Sequence, residues 1–214
     1  MMKKRYGICW KLNTDLQFEL EKRNCSLENG LKELKINCIE KCGIFSRQMD
    51  LFIFIEINDS QEIEEWELDN ASYQVSNYLE KNLNGVLIGN GIIMDEVFYT
   101  DGYVGELSAF ERIATYMKIK AGYEKPYRQA HENIWPSILE GIYRTKICNY
   151  SIFMKGTDLF SYFEVENFNK AMEELRHDEE NQRWQTRMSP MMDVGSGIKE
   201  NSSVLMQEIL FISK

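Results

Sequence analysis

Histidine and proline are scarce in this sequence, and acidic residues outnumber basic ones. The 214 residues include two histidines and three prolines, and the formal net charge at neutral pH is -9. An acidic chain is a poor partner for nucleic acid or for an anionic membrane surface, so we expect neither. A neutral small molecule is compatible with this charge.

Cysteine is present in an odd number that does not make a zinc site. Of the five cysteines, Cys38 and Cys42 are close in sequence, but no second cysteine or histidine pair completes four ligands. We therefore expect free thiols in a reducing compartment. No apolar run approaches the length of a membrane span, and the run after the basic N-terminus is too short for a signal peptide. Together these features predict a cytoplasmic protein.

Strand-like and helical segments alternate in the same order in both halves of the chain. The order is β-α-β-β-α-β, the split βαβ arrangement of ferredoxin-like domains. Asp158–Val165 resembles Asp50–Ile57. Ile147–Phe153 resembles Ile39–Phe45, and the distance along the chain is the same for both pairs. Matching segments at one spacing and in one order predict an internal, tandem duplication.

The repeat predicts two domains, residues 1–104 and 105–214, joined within the polar stretch Thr100–Ser108. One ferredoxin-like domain covers one sheet face with helices and leaves the other apolar face bare. Two facing sheets bury both bare faces, and a short connection favours pairing within the chain. We expect an α+β fold in which the halves form an intramolecular dimeric α/β barrel. Further homo-oligomer formation is left open.

Two local predictions come from the turn and helix signals. The glycine-containing segment Gly85–Gly91 is expected to be a loop before a strand at Met94–Tyr99. Asn167 is expected to cap one helix that continues to Met188. A ligand cavity in such a fold lies between a sheet face and the helices that close it, and a fully packed interior is the alternative.

The segment Tyr127–Pro136 contains one of the two histidines. Tyr127 and His131 are four residues apart, so a helix brings them to nearly the same face. Pro136 cannot continue a regular helix and disfavours a helical Trp135, which predicts a break and a restart there. The alternative for this pattern is a kinked amphipathic helix with a surface histidine. The other histidine, His177, lies in a charged run and is expected on the solvated surface.

The residues Tyr127, His131, Ile134, Trp135 and Pro136, at this spacing, resemble the L-rhamnose mutarotase family. The resemblance covers about residues 111–214, nearly a whole family subunit, and the family forms dimers of facing ferredoxin-like subunits. Further matches occur in the same order at Asn149–Tyr150, Gln182–Arg183–Trp184 and Gln207–Glu208.

The resemblance implies an isomerase that interconverts the α and β anomers of a pyranose sugar, L-rhamnose or a related deoxyhexose. It places His131 at the proton-donor position and Tyr127, Tyr150 and Trp184 at sugar-contacting positions. Gln185 stands where the family often has a second aromatic residue. We include Gln185 in the substrate-binding set, and its departure bears on which sugar binds.

Mutarotation suits these residue types. A base takes the proton of the anomeric hydroxyl while an acid protonates the ring oxygen, and a histidine titrates in the range that both transfers need. No metal or organic cofactor is required. A sugar-binding or regulatory module without turnover is the alternative function. An oxidative enzyme of similar facing-sheet topology is a third, for which the sequence contains no haem ligation or oxygen chemistry.

The first half lacks the residues that carry this chemistry. The repeat places Arg23 opposite His131, Leu27 opposite Trp135, Cys42 opposite Tyr150 and Ser76 opposite Trp184. An arginine remains protonated and does not exchange protons near neutral pH. We predict a non-catalytic first domain and one active site per chain.

Overall fold

A computed structural model describes residues 3–23, 27, 31, 39–58, 65–105, 109–193 and 203–213. The chain forms two compact units, Met1–Met94 with Gln207–Lys214, and Asp95–Met206. Within the described ranges, no helix combines the length and the apolar character that crossing a membrane requires. The proposed domain boundary at residue 104 concerns the sequence repeat and stays a prediction.

The first unit is an antiparallel sheet with helices on one face. Its strand order is β4-β1-β3-β2-β9. Apolar side chains of alternate strand positions, such as Ile53 and Ile55, pack against the helices. The elements are β1 (Lys3–Leu12), α1 (Leu16–Arg23), β2 (Ile39–Arg47), β3 (Asp50–Asn58), α2 (Glu65–Asn82), the first part of β4 (Leu87–Gly102) and β9 (Gln207–Ser213).

The second unit has the equivalent order, β8-β5-β7-β6-β4, and is also antiparallel. Strand β4 pairs with β1 up to Met94 and with β6 from Asp95 onward. The elements are β5 (Glu111–Lys118), α3 (Glu124–Glu132), α4 (Pro136–Arg144), β6 (Ile147–Lys155), β7 (Asp158–Val165), α5 (Phe168–His177), α6 (Glu179–Met188) and β8 (Val204–Leu205).

The α+β fold class is confirmed, and each unit has the ferredoxin-like order of strands. Strand β7 of the second sheet is buried on both faces. Leu159 and Val165 of β7 pack toward the helices, whereas Phe160 and Tyr162 point to the opposite face and are at most 2% exposed. A strand buried on both faces reads as a nearly continuous apolar run, as β7 does.

Two local predictions were wrong. Strand β4 begins at Leu87, so most of the predicted Gly85–Gly91 loop is strand. The predicted single helix after Asn167 is two helices, because Asp178 has extended backbone angles and caps a new helix by accepting from Asn181 N at 2.8 Å. Parts of the two predicted helices of the first half, and most of the predicted Asp193–Ser203 loop, lie outside the described residues.

Asp178 supports a stability prediction, because it also forms an ion pair with Arg144 at 2.5 Å. We expect Asp178→Ala to lower the free energy of unfolding by about 0.5–2 kcal/mol, the usual cost of removing a cap. Asn167→Ala is the matched control, since Asn167 caps α5 through Lys170 N at 2.9 Å and has no ion pair among the described residues. Urea unfolding measures both; a smaller loss for Asp178→Ala than for Asn167→Ala would contradict the role of the ion pair.

Candidate active site

The predicted helix break is where the sequence placed it. Helix α3 ends at Glu132, Trp135 is extended with φ -69° and ψ 138°, and Pro136 is the first residue of α4. Proline suits this first position because its missing N–H would have no helical partner there. The break leaves Tyr127 and His131 together on α3, both buried.

A cavity of about 550 Å³ lies between the sheet of the second unit and helices α3–α6. This confirms the expected position of a ligand cavity, and its volume is within the range of small-molecule sites. Four predicted site residues line it: His131, Tyr150, Trp184 and Gln185. Tyr127, the fifth, is buried against His131, with ring centroids 4.3 Å apart.

His131 is held in one tautomer by its own helix. Its Nδ1 lies 3.0 Å from the carbonyl oxygen of Tyr127. A carbonyl can only accept, so Nδ1 donates this hydrogen bond and, in the neutral ring, Nε2 carries the lone pair. The side chain is only 8% exposed. Burial lowers the pKa of His131 below its ordinary value, and the Tyr127 hydrogen bond opposes this shift.

Both tyrosines are neutral hydrogen-bonding groups in the physiological range. Burial raises the pKa of Tyr127 well above its ordinary value, with a smaller contribution from Tyr150. Burial also raises the pKa of Tyr150 to about 12. Because a buried phenolate is disfavoured, these phenols can donate hydrogen bonds but do not act as bases near neutral pH.

Trp184 connects the cavity to the outer surface of α6. Its ring contacts the imidazole of His131 at a centroid distance of 5.6 Å and the ring of Trp135 at 5.4 Å, both edge to face. Trp135 packs behind Trp184 under the guanidinium groups of Arg183 and Arg187. Trp135 is thus a packing residue.

An irregularity in β6 points Tyr150 into the cavity. Ile147 and Tyr150 both line the cavity although they are three residues apart, which a regular strand would place on opposite faces. The pairing of β6 with β7 shifts between Cys148 and Ser151, and Asn149 has a positive φ of 49°. An extra residue at a β-bulge changes the side-chain alternation in this way.

Three of the cavity residues that the sequence did not single out bear on its chemistry. Phe98 of β4 lies edge-on to His131 at 5.7 Å and to Tyr150 at 5.5 Å between ring centroids. It comes from the segment assigned to the first half, so no local signal links it to the site. Thr115 and Ser161 line the sheet side of the cavity. Their small polar side chains on otherwise apolar strands were an available signal.

Two further observations concern the other titratable groups. His177 is on the surface as predicted, with its side chain 69% exposed and Nε2 2.9 Å from Glu173 Oε1. Across the described ranges, no three histidine, cysteine, aspartate or glutamate side chains are grouped so that they could hold a metal ion.

The family model for L-rhamnose mutarotase matches residues 112–211. The L-rhamnose mutarotase of Listeria monocytogenes serovar 1/2a is 35% identical over 85 residues, covering 38% of this chain and 80% of the relative. That of Shouchella clausii is 29% identical over 104 residues, covering 48% of this chain and 98% of the relative. The chain belongs to the L-rhamnose mutarotase family.

This membership in a family of isomerases rests on the second half of the chain. The matched segment contains all five predicted site residues, whereas the first half is not covered by the family match. The fold is shared over a longer span. A monooxygenase-like structure from Fusobacterium nucleatum aligns with a TM-score of 0.60 at 9% identity, covering 99% of this chain and 94% of its own. At this identity the likeness shows the fold alone.

The buried imidazole of this mutarotase-family chain predicts a pH-dependent stability. Because the folded-state pKa of His131 lies below 6.5, its unperturbed value, the unfolded chain takes up the proton first as the pH falls. The contribution of His131 to stability is therefore complete above pH 6.5, falls between 6.5 and the folded-state pKa, and then stays constant.

We expect NMR titration of the two histidines to show a His131 midpoint below pH 6.5. His131→Gln assigns the resonance, and urea unfolding of that variant should lose the corresponding part of the pH dependence. A midpoint at or above 6.5 would contradict the burial argument.

Proposed function

We propose that this chain interconverts the α and β anomers of a pyranose, L-rhamnose or a related deoxyhexose, at the cavity that contains His131. The observation that carries the proposal is the buried, tautomer-defined imidazole of His131 beside Trp184 in a cavity of sugar-accommodating size. The family match supports a sugar mutarotase, and these residues supply the chemistry that the reaction needs.

In the proposed reaction, the neutral imidazole of His131 accepts the anomeric hydroxyl proton at Nε2. A neutral donor protonates the ring oxygen in the same step, and the bond between C1 and the ring oxygen breaks to give the open aldehyde. Rotation about the C1–C2 bond exposes the other carbonyl face to the same hydroxyl. Ring closure then reverses both proton transfers. The donor to the ring oxygen is a water molecule or the Tyr150 phenol, which burial keeps protonated.

The remaining predicted site residues bind the sugar or position His131 in this proposal. Tyr150 donates a hydrogen bond to a sugar oxygen, and the Trp184 ring covers an apolar sugar face. Tyr127, behind the cavity lining, contributes by holding the imidazole of His131 in place. Gln185 is exposed at the rim of the cavity. An amide there can hydrogen-bond a sugar hydroxyl, whereas an aromatic residue offers a stacking face. We therefore assign Gln185 to the choice of sugar.

The first half is proposed as a non-catalytic partner of the second. Both histidines of the chain lie in the second half. Cys42, opposite Tyr150 in the repeat, is buried in the apolar core, and Ser76, opposite Trp184, donates to the Ser72 carbonyl at 2.9 Å. This proposal includes pairing of the halves within one chain and one active site per chain.

Saturation-transfer NMR on the two anomers tests the function directly. We expect the full-length chain to accelerate exchange of L-rhamnose, or of another deoxyhexose in a panel, above the rate in buffer. Exchange at the buffer rate for every sugar would overturn the proposal. A sugar that raises the melting temperature without faster exchange would instead identify a binding module.

A further inference from the structure

Two hydroxyl groups form a polar floor under the cavity. Thr115 on β5 and Ser161 on β7 are directly opposite each other in the strand ladder. Their Oγ1 and Oγ atoms are 2.6 Å apart. The side chains are 3% and 1% exposed, respectively, and both line the cavity that contains His131.

The hydrogen bond between the two hydroxyl groups does not use all of their donors and acceptors. Two hydroxyl groups carry two protons, and one proton is used in the bond between them. The other proton has no acceptor within the described part of the chain. Lone pairs on both oxygens are also available to accept hydrogen bonds. A buried hydroxyl without its full set of hydrogen bonds carries a free-energy cost. A ligand oxygen in the cavity would satisfy it.

The first unit shows that the sheet itself does not require hydroxyl groups here. Its equivalent pair is Ile8 opposite Ile53, and both side chains are at most 1% exposed in the apolar core. An ion pair three residues away from each cross-strand pair establishes the equivalence. It is Lys11 with Asp50 in the first unit and Lys118 with Asp158 in the second.

We propose that Thr115 and Ser161 bind a sugar oxygen, donating and accepting hydrogen bonds at the floor of the cavity, and thereby help to determine which pyranose is accepted. This inference rests on the proposed function. The pair also has a steric effect, since serine and threonine are smaller than the two isoleucines of the first unit. The unit that contains His131 thus has both space and polarity at a position where the other unit has two isoleucine side chains.

Isosteric variants of the full-length chain test the floor. Thr115→Val and Ser161→Ala each remove one hydroxyl with little change in shape. Loss of one neutral hydrogen bond to the sugar should raise KM by about 2- to 13-fold. We expect kcat to stay within about 2-fold, because His131 is untouched. Anomer exchange of L-rhamnose at several concentrations gives both constants, and thermal melting gives stability.

Thr145→Val is the matched control. Thr145 is buried and donates to the Gly141 carbonyl at 2.8 Å, but it does not line the cavity. We expect this variant to lower the melting temperature with KM unchanged, which is the result that a purely structural hydroxyl gives. Unchanged KM in both Thr115→Val and Ser161→Ala, with the same loss of melting temperature as the control, would overturn the proposal.

The double variant Thr115→Ile/Ser161→Ile reproduces the pair of the first unit. We expect it to fold and to lose sugar-dependent stabilisation, and if it does not fold the isosteric variants decide alone. The two proposals fail differently. If the wild type accelerates anomer exchange but Thr115→Val and Ser161→Ala leave KM unchanged, only the proposed sugar contact of the two hydroxyl groups is overturned. If the wild type neither accelerates exchange nor binds any sugar of the panel, both proposals are overturned.

Discussion

His131→Ala is expected to slow enzyme-catalysed anomer exchange by about 10²–10⁴-fold, the usual contribution of a general acid–base group. The variant removes the only imidazole in the cavity lining and leaves Tyr150 and Trp184 to bind the sugar. The effect should therefore appear in kcat. Exchange NMR measures the rate, and circular dichroism establishes that the variant folds.

His177→Ala is the matched control, because its side chain is 69% exposed and lies on the outer surface of α5. Its exchange rate should equal that of the wild type. If His131→Ala kept full activity, the role of this residue would be wrong even with the fold intact. In the wild type, the acid limb of the kcat/KM profile should have its midpoint below pH 6.5, since burial lowers the pKa of His131.

Trp184→Ala is expected to lower the free energy of unfolding by about 3–5 kcal/mol, the range for removing a buried tryptophan from a core. The side chain is 6% exposed and contacts both Trp135 and His131. Its loss leaves a space behind the imidazole, so activity should also fall. Urea unfolding gives the stability and exchange NMR gives the activity.

Trp184→Phe separates the two contributions of the ring. It retains an aromatic ring in the core, so we expect a smaller loss of stability and a rise in KM, because a smaller face covers the sugar. Gln185→Ala, next in sequence but exposed, should leave stability within about 0.5 kcal/mol. A loss below about 1 kcal/mol in Trp184→Ala would contradict its place in the core.

Patterns within one element predicted the structure well. The spacing of Tyr127 and His131 predicted a shared helix face, and Pro136 predicted the break, since both effects arise from local backbone geometry. Errors occurred where several signals compete. Asp178 is a strong cap residue, but it lies inside an apolar-periodic segment that reads as one helix. Glycines in Gly85–Gly91 suggested a loop, whereas pairing with β1 makes most of this segment strand.

The site was predicted only in part, because some of its residues are brought together by long-range strand pairing. His131, Tyr150, Trp184 and Gln185 were found through their resemblance to a family and do line one cavity. Phe98 was not found, because only the pairing of β4 with β6 brings it beside His131. Thr115 and Ser161 are visible as small polar residues in their own strands, but only the pairing of β5 with β7 brings their hydroxyl groups together.

Local sequence specified the break before Pro136 and the shared helix face of Tyr127 and His131, because both follow from backbone geometry within a few residues. Other features of the site depend on the tertiary structure. The direction of Tyr150 depends on the register of β6 against β7. The lowered pKa of His131 depends on its burial, to which the contacts with Phe98 and Trp184 contribute. Register and burial arise from contacts between residues far apart in the chain, which a local pattern does not specify.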